Sequence, residues 1–184
     1  MPTLIKTILT LTALLLSISA SADRNLDLRG LQQIADRERL QTVEGQPLNL
    51  RPTRELAGTI LVATCPQCRH SDEQERGFGL LLDHYRNNGY RVIEAPFPAS
   101  SFPGDLLFPG DLLFPGDLLS PRQSGAPGGG RLVLDNSSAM SLQRSVGIRP
   151  ERLTMVFDAR GQQVMSGNVQ DLVHYAERSA RPTR

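Results

Sequence analysis

The two cysteines of this chain, Cys65 and Cys68, stand two residues apart in the run Thr64-Cys65-Pro66-Gln67-Cys68. A thiolate is both a nucleophile and a soft metal ligand. A disulfide across so short a loop removes little entropy from the unfolded chain, so stabilisation is a poor reason to have one. The spacing favours redox chemistry or metal binding over a structural staple. His70 follows closely and would complete a Cys65, Cys68, His70 set suited to copper or zinc; the competing reading of His70 is a solvated side chain beside the motif. Arg69 and His70 would add positive potential, which Asp72, Glu73 and Glu75 oppose. His84 and His174 have helical settings and no partner spacing, and no role is assigned to them.

The elements that must position this motif are a strand before it and a helix after it. Residues 59–63 form a continuous apolar, partly β-branched run after Gly58, the pattern of a buried central strand. Residues 69–88 turn helical, with Phe78, Leu81, Leu82 and Tyr85 at spacings of three and four and Asn87-Asn88-Gly89 as the stop. Residues 90–95 read as the next strand. Strand, helix and strand in this order predict a parallel βαβ unit with a right-handed crossover. Later residues predict a strand over 131–135, a short helix over 138–146 and a strand over 153–157. A tight turn at 158–161 then leads to an antiparallel partner over 162–165. The last helix spans 169–178, with Val169, Leu172, Val173 and Ala176 inward. Upstream, residues 26–40 read as a short helix or irregular arm, and residues 43–50, with Gly45 and Pro47 as turn residues, as a hairpin.

With 184 residues the chain is long enough for one domain with a hydrophobic core. Lys6, the apolar run over 7–18 and Ala20-Ser21-Ala22 have the form of a secretory signal peptide over 1–22, which predicts export to the periplasm. The apolar run is too short to span a bilayer, so no stable membrane insertion is expected. Lys6 is the only lysine, and without it the remaining basic residues equal the 19 acids. A balanced charge argues against a nucleic-acid partner. Residues 23–42 form an N-terminal arm and 43–184 the domain, interrupted by a loop over 99–130. Within that loop Phe-Pro-Gly-Asp-Leu-Leu is written three times over 102–119. Its prolines forbid a regular helix or central strand. The repeat reads as a duplicated surface loop, or else as a docking surface whose Phe and Leu side chains a partner covers.

At this point the chain resembles the redoxin side of the thioredoxin-like superfamily, the TlpA-like and DsbE-like exported thiol proteins in particular. Residues 43–50 resemble the family's first hairpin "dGkpvsL", and 60–69 (ILVATCPQCR) its strand and "WAtWCppCr" motif. Residues 81–93 resemble "l..ly.kyrdkGfeVi", and 132–161 resemble "vllDpdgalaraygVrgvPttflIDrdG". The implied fold is α/β and thioredoxin-like: a βαβ half, then a β-hairpin and a C-terminal helix, with the low-complexity loop as an insertion. Three positions depart from the pattern. Thr64 replaces the Trp before the first cysteine, Arg152 replaces the cis-proline facing the disulfide, with Pro150 two residues earlier, and the helical proline after the motif is absent.

The resemblance implies a periplasmic thiol:disulfide oxidoreductase that needs no cofactor and acts on protein thiols or disulfides of exported clients. Cys65 and Cys68 are its catalytic residues and form its redox-active disulfide, and Thr64, Pro66, Gln67 and Arg152 face the substrate. Placed on the first turn of a helix, Cys65 would have its thiolate stabilised by unpaired N–H groups and the dipole. Cys68, the more buried of the two, would resolve the mixed disulfide. Pro66 suits a first helical turn, where its missing N–H costs nothing. Two other readings stand beside this one. A copper-binding chaperone or non-catalytic assembly factor would keep the fold and dock partners on the repeat loop. A thiol peroxidase fits less well, because Val62 stands where peroxiredoxins place a Thr and the chain has no Trp.

Overall fold

The computed structural model describes residues 26–68, 71–98, 130–147 and 154–180. Residues 1–22, Arg69, His70, the three repeats with the Gly-rich stretch after them, Pro150 and Arg152 lie outside the described residues. No helix among the described residues is long and apolar enough to cross a membrane.

The first described element is α1 (Leu28–Glu38). Asp27 caps it by accepting the Gly30 N–H at 2.8 Å, and Arg39 ends it in the left-handed region, with φ at 54°. Its apolar stripe of Leu28, Leu31 and Ala35 is buried in the common core, so the segment read as an arm contributes to the domain interior. Next comes β1 (Gly58–Thr64), buried along its length except for its last residue. A strand buried on both faces has no solvated side to alternate with, which is why its sequence reads as a continuous apolar run. The helix α2 (Asp72–Asn87) follows, and then β2 (Tyr90–Pro96), paired parallel to β1 from Gly58 opposite Tyr90 to Thr64 opposite Pro96. The expected βαβ unit is therefore present.

A short β3 (Arg131–Val133) pairs parallel to β2, and α3 (Asn136–Val146) follows. The antiparallel half is β4 (Thr154–Asp158) against β1 and β5 (Gln163–Gly167) against β4, closed by α4 (Val169–Ala180). The sheet order is β3-β2-β1-β4-β5. Three parallel strands, an antiparallel hairpin on the other side of the central strand and a final helix make this a thioredoxin-like fold.

The two faces are covered by different helices. Leu28 and Leu31 of α1 and Leu142 of α3 gather over Leu61, Ile93 and Phe157. Alternation along the strands sends Val62 and its partner Glu94 to the opposite face. There α2 and α4 meet, and the buried Tyr85 hydroxyl donates to the Leu172 carbonyl at 2.7 Å. All four inward positions expected of the last helix, Val169, Leu172, Val173 and Ala176, are buried.

Three expectations are corrected. The hairpin expected over 43–50 is minimal and shifted upstream: a turn at 43–45 joins one antiparallel bridge, Gln41 with Pro47, flanked by Thr42 N–H to the Gln46 carbonyl and Leu48 N–H to the Leu40 carbonyl, both at 2.9 Å. Thr42 also bridges Leu134 and covers the outer edge beside β3. The strand predicted over 131–135 stops at Val133, because Asp135 turns away to cap α3 by accepting the Ser138 N–H at 2.8 Å. The helix predicted from residue 69 begins at Asp72. Ser71 caps it in a reciprocal box with Gln74, which satisfies its first free donors and sets its start.

Candidate functional site

The late start of α2 changes the setting of the motif. Cys65-Pro66-Gln67-Cys68 is not the first turn of a helix but a separate β-turn, closed by the Cys68 N–H donating to the Cys65 carbonyl at 3.1 Å. Pro66 holds the second position of that turn, for which its fixed φ is suited. The thiols are joined in a disulfide, with the Cα atoms 5.3 Å apart. Since Ser71 rather than Cys65 stands at the helix start, the dipole argument for a stabilised Cys65 thiolate does not apply.

The order of burial is also the reverse of that expected. Cys65 is only 6% exposed, whereas Cys68 is partly buried. The cause is topological: Cys65 directly continues the fully covered central strand, while the turn carries Cys68 outward before the helix begins. Thr64 is half-buried at the end of β1, and Pro66 and Gln67 are exposed at the tip of the turn. Among the sequence-predicted site residues, Thr64, Cys65, Pro66, Gln67 and Cys68 are thus brought together, while His70 and Arg152 lie outside the described residues. Among the described residues no three His, Cys, Asp or Glu side chains gather as a metal set.

Cys65 opens sideways onto a cleft of about 440 Å³. Thr64, Cys65 and Pro66 form one wall, and Phe78, Gly79 and Leu82 of α2 form another. Glu94 and Arg131, from β2 and β3, close another side, and Glu75, Asp83 and Arg86 of α2 complete the boundary. Cys68 is not among the lining residues. At the carboxyl end of the central strand, this is where open α/β sheets place ligand sites.

Of the five charged side chains around the cleft, four form two ion pairs. Arg131 donates through Nε to Glu94 Oε1 at 2.6 Å and through Nη2 to Oε2 at 3.0 Å. The Glu94 side chain is 10% exposed and that of Arg131 is 56% exposed, so the pair has a buried acid end and a wet basic end. The hydrogen bonds that Arg131 donates to Glu94, with the nearby carboxylate charge, raise the Arg131 pKa and keep the guanidinium charged. Arg86 pairs with Asp83 at 2.9 Å through Nη1, while its Nε is buried without a partner. Reading by motif passes over Gly79 in the helix after the motif, and over Glu94 and Arg131, which lie far from the cysteines along the chain. The one signal for Glu94 is an acid in the middle of an otherwise apolar strand, Val92-Ile93-Glu94-Ala95.

No family model matches the chain, and no curated protein matches it. Among solved structures, a thioredoxin-like protein from Aeropyrum pernix shares 16% identity over 81% of this chain and 94% of that one, with a TM-score of 0.43. The reduced form of the N-terminal domain of PilB from N. meningitidis shares 11% identity over 82% of this chain and 99% of that one, with a TM-score of 0.34. It is the strand order and the position of the disulfide, rather than these superpositions, that give the chain its thioredoxin-like character.

Proposed function

We propose that the chain is a thiol:disulfide oxidoreductase of the TlpA-like and DsbE-like kind, exported to the periplasm by residues 1–22 and acting on the cysteines of exported proteins. The observation that carries this reading is the Cys65–Cys68 disulfide across a β-turn at the end of the central strand, beside an open cleft. So short a loop contributes less as a staple than a long one, and a disulfide kept in such a place is best explained by exchange.

Cys65 is the reacting sulfur, because it lines the cleft and Cys68 does not. A client thiolate attacks Cys65 Sγ, the Cys65–Cys68 bond breaks, and Cys68 leaves as a thiolate that takes up a proton. A second client thiolate then attacks the client sulfur of the mixed disulfide. Cys65 is released, a client disulfide forms, and two electrons have passed from client to protein. In the opposite direction the reduced Cys65 attacks a client disulfide and Cys68 resolves the intermediate. Thr64, Pro66 and Gln67, at the lip of the turn, would face the incoming chain.

Purified protein is expected to exchange with dithiothreitol and glutathione. Cys65→Ser should abolish this exchange, and Cys68→Ser should accumulate a mixed disulfide through Cys65. Absence of exchange in the unmodified protein would refute the reading.

A further inference from the structure

Resting on that exchange reading, we propose that the cleft beside Cys65 is a client subsite: it takes an apolar side chain adjoining the client cysteine, and Gly79 determines this preference by keeping the cleft open. The occupant is an extended protein segment with a leucine or phenylalanine next to its cysteine.

The first observation is the glycine itself. Gly79 lies inside α2 and on the cleft wall, where glycine is less favourable than alanine. Several other glycines of the fold have a structural reason. A Cβ at Gly58 would overlap the Phe157 carbonyl and the Tyr90 ring, and Gly89 and Gly161 have positive φ. Gly79 has neither reason, since a Cβ there would meet nothing within 4 Å. What its missing side chain preserves is the space of the cleft.

The second observation is the chemistry of the lining. Phe78, Leu82 and Pro66 supply apolar surface, and the carboxylates of Glu94 and Asp83 are already held by Arg131 and Arg86. An occupant therefore has no buried charge to neutralise, which selects an uncharged, apolar side chain. Glu75 also lines the cleft and would favour a basic residue further along the client. The space adjoins the reacting sulfur, so a side chain held there brings its neighbouring cysteine to Cys65. Burying a leucine or phenylalanine in this way corresponds to roughly a tenfold to hundredfold gain in apparent affinity.

The test uses the full chain, oxidised, with two peptides that differ only in having Leu or Ser beside one cysteine, and compares wild type with Gly79→Ala and Gly79→Leu. Wild type should react about 10–100-fold more efficiently with the Leu peptide. Gly79→Leu should bring the ratio close to one, with Gly79→Ala between them. Both variants should melt no lower than wild type, and Gly79→Ala about 1–4 °C higher, because alanine favours the helix. A wild-type ratio near one, or a ratio that survives in Gly79→Leu, overturns the subsite. Exchange of the wild-type protein with dithiothreitol, which needs no side-chain pocket, distinguishes that failure from failure of the exchange reading itself.

Discussion

Asp135 shows how much one side chain decides. It ends the β3 segment and begins α3, accepting from the Ser137 hydroxyl at 2.6 Å and from the Ser138 N–H at 2.8 Å. The hydrogen bond from Ser137, then that from Ser138, hold its carboxyl below its ordinary pKa of 3.8. A carboxylate lowered in this way stabilises the fold above its unfolded pKa and loses that contribution as pH falls through the folded value. Asp135→Ala should therefore cost about 1 kcal/mol at neutral pH, as loss of an N-cap does. Urea titrations of both proteins should show the gap narrowing as pH drops below about 4. A gap independent of pH would mean that the side chain acts without its charge.

At the scale of elements, β2 and β3 are joined by their backbone ladder and by one ion pair on the cleft face. Glu94 is the buried end of that pair and Arg131 the solvated end. Removing Arg131 leaves a carboxylate in a nearly dry wall, whereas removing both charges leaves an ordinary apolar contact. Arg131→Met is expected to destabilise by about 1–2 kcal/mol, discounted from a fully buried pair because the guanidinium is wet. Adding Glu94→Gln should restore part of the loss, and a double-mutant cycle measures the coupling. Strictly additive effects would show that the pair does not bind the two strands together.

For the whole molecule, the core of α1 to α4 packed on both faces of the sheet is expected to hold the fold without the disulfide. Loop-closure entropy grows logarithmically with loop length, and a four-residue loop corresponds to roughly 2 kcal/mol. Reduction by dithiothreitol should lower the unfolding free energy by no more than about that amount and leave the far-ultraviolet dichroism unchanged. Unfolding on reduction would make the pair a structural staple and remove the reason to regard it as a working redox centre.

Much of this architecture is written in local pattern. The unbroken apolar run of β1, the spacing of Leu81, Leu82 and Tyr85, and the four inward residues of α4 define their elements because hydrophobic periodicity follows strand and helix geometry directly. The Cys-Pro-Gln-Cys spacing likewise narrows the chemistry to redox exchange or metal binding without a structure. The start of α2 was less legible, since the Ser71 and Gln74 cap competes with a helical reading that runs straight through the motif. Tertiary structure alone decided which cysteine is covered, because that depends on where the central strand ends beneath its neighbours. It also decided that Glu94, Arg131 and Gly79 share one cleft with Cys65, since strand pairing and helix packing unite residues that no spacing along the chain connects.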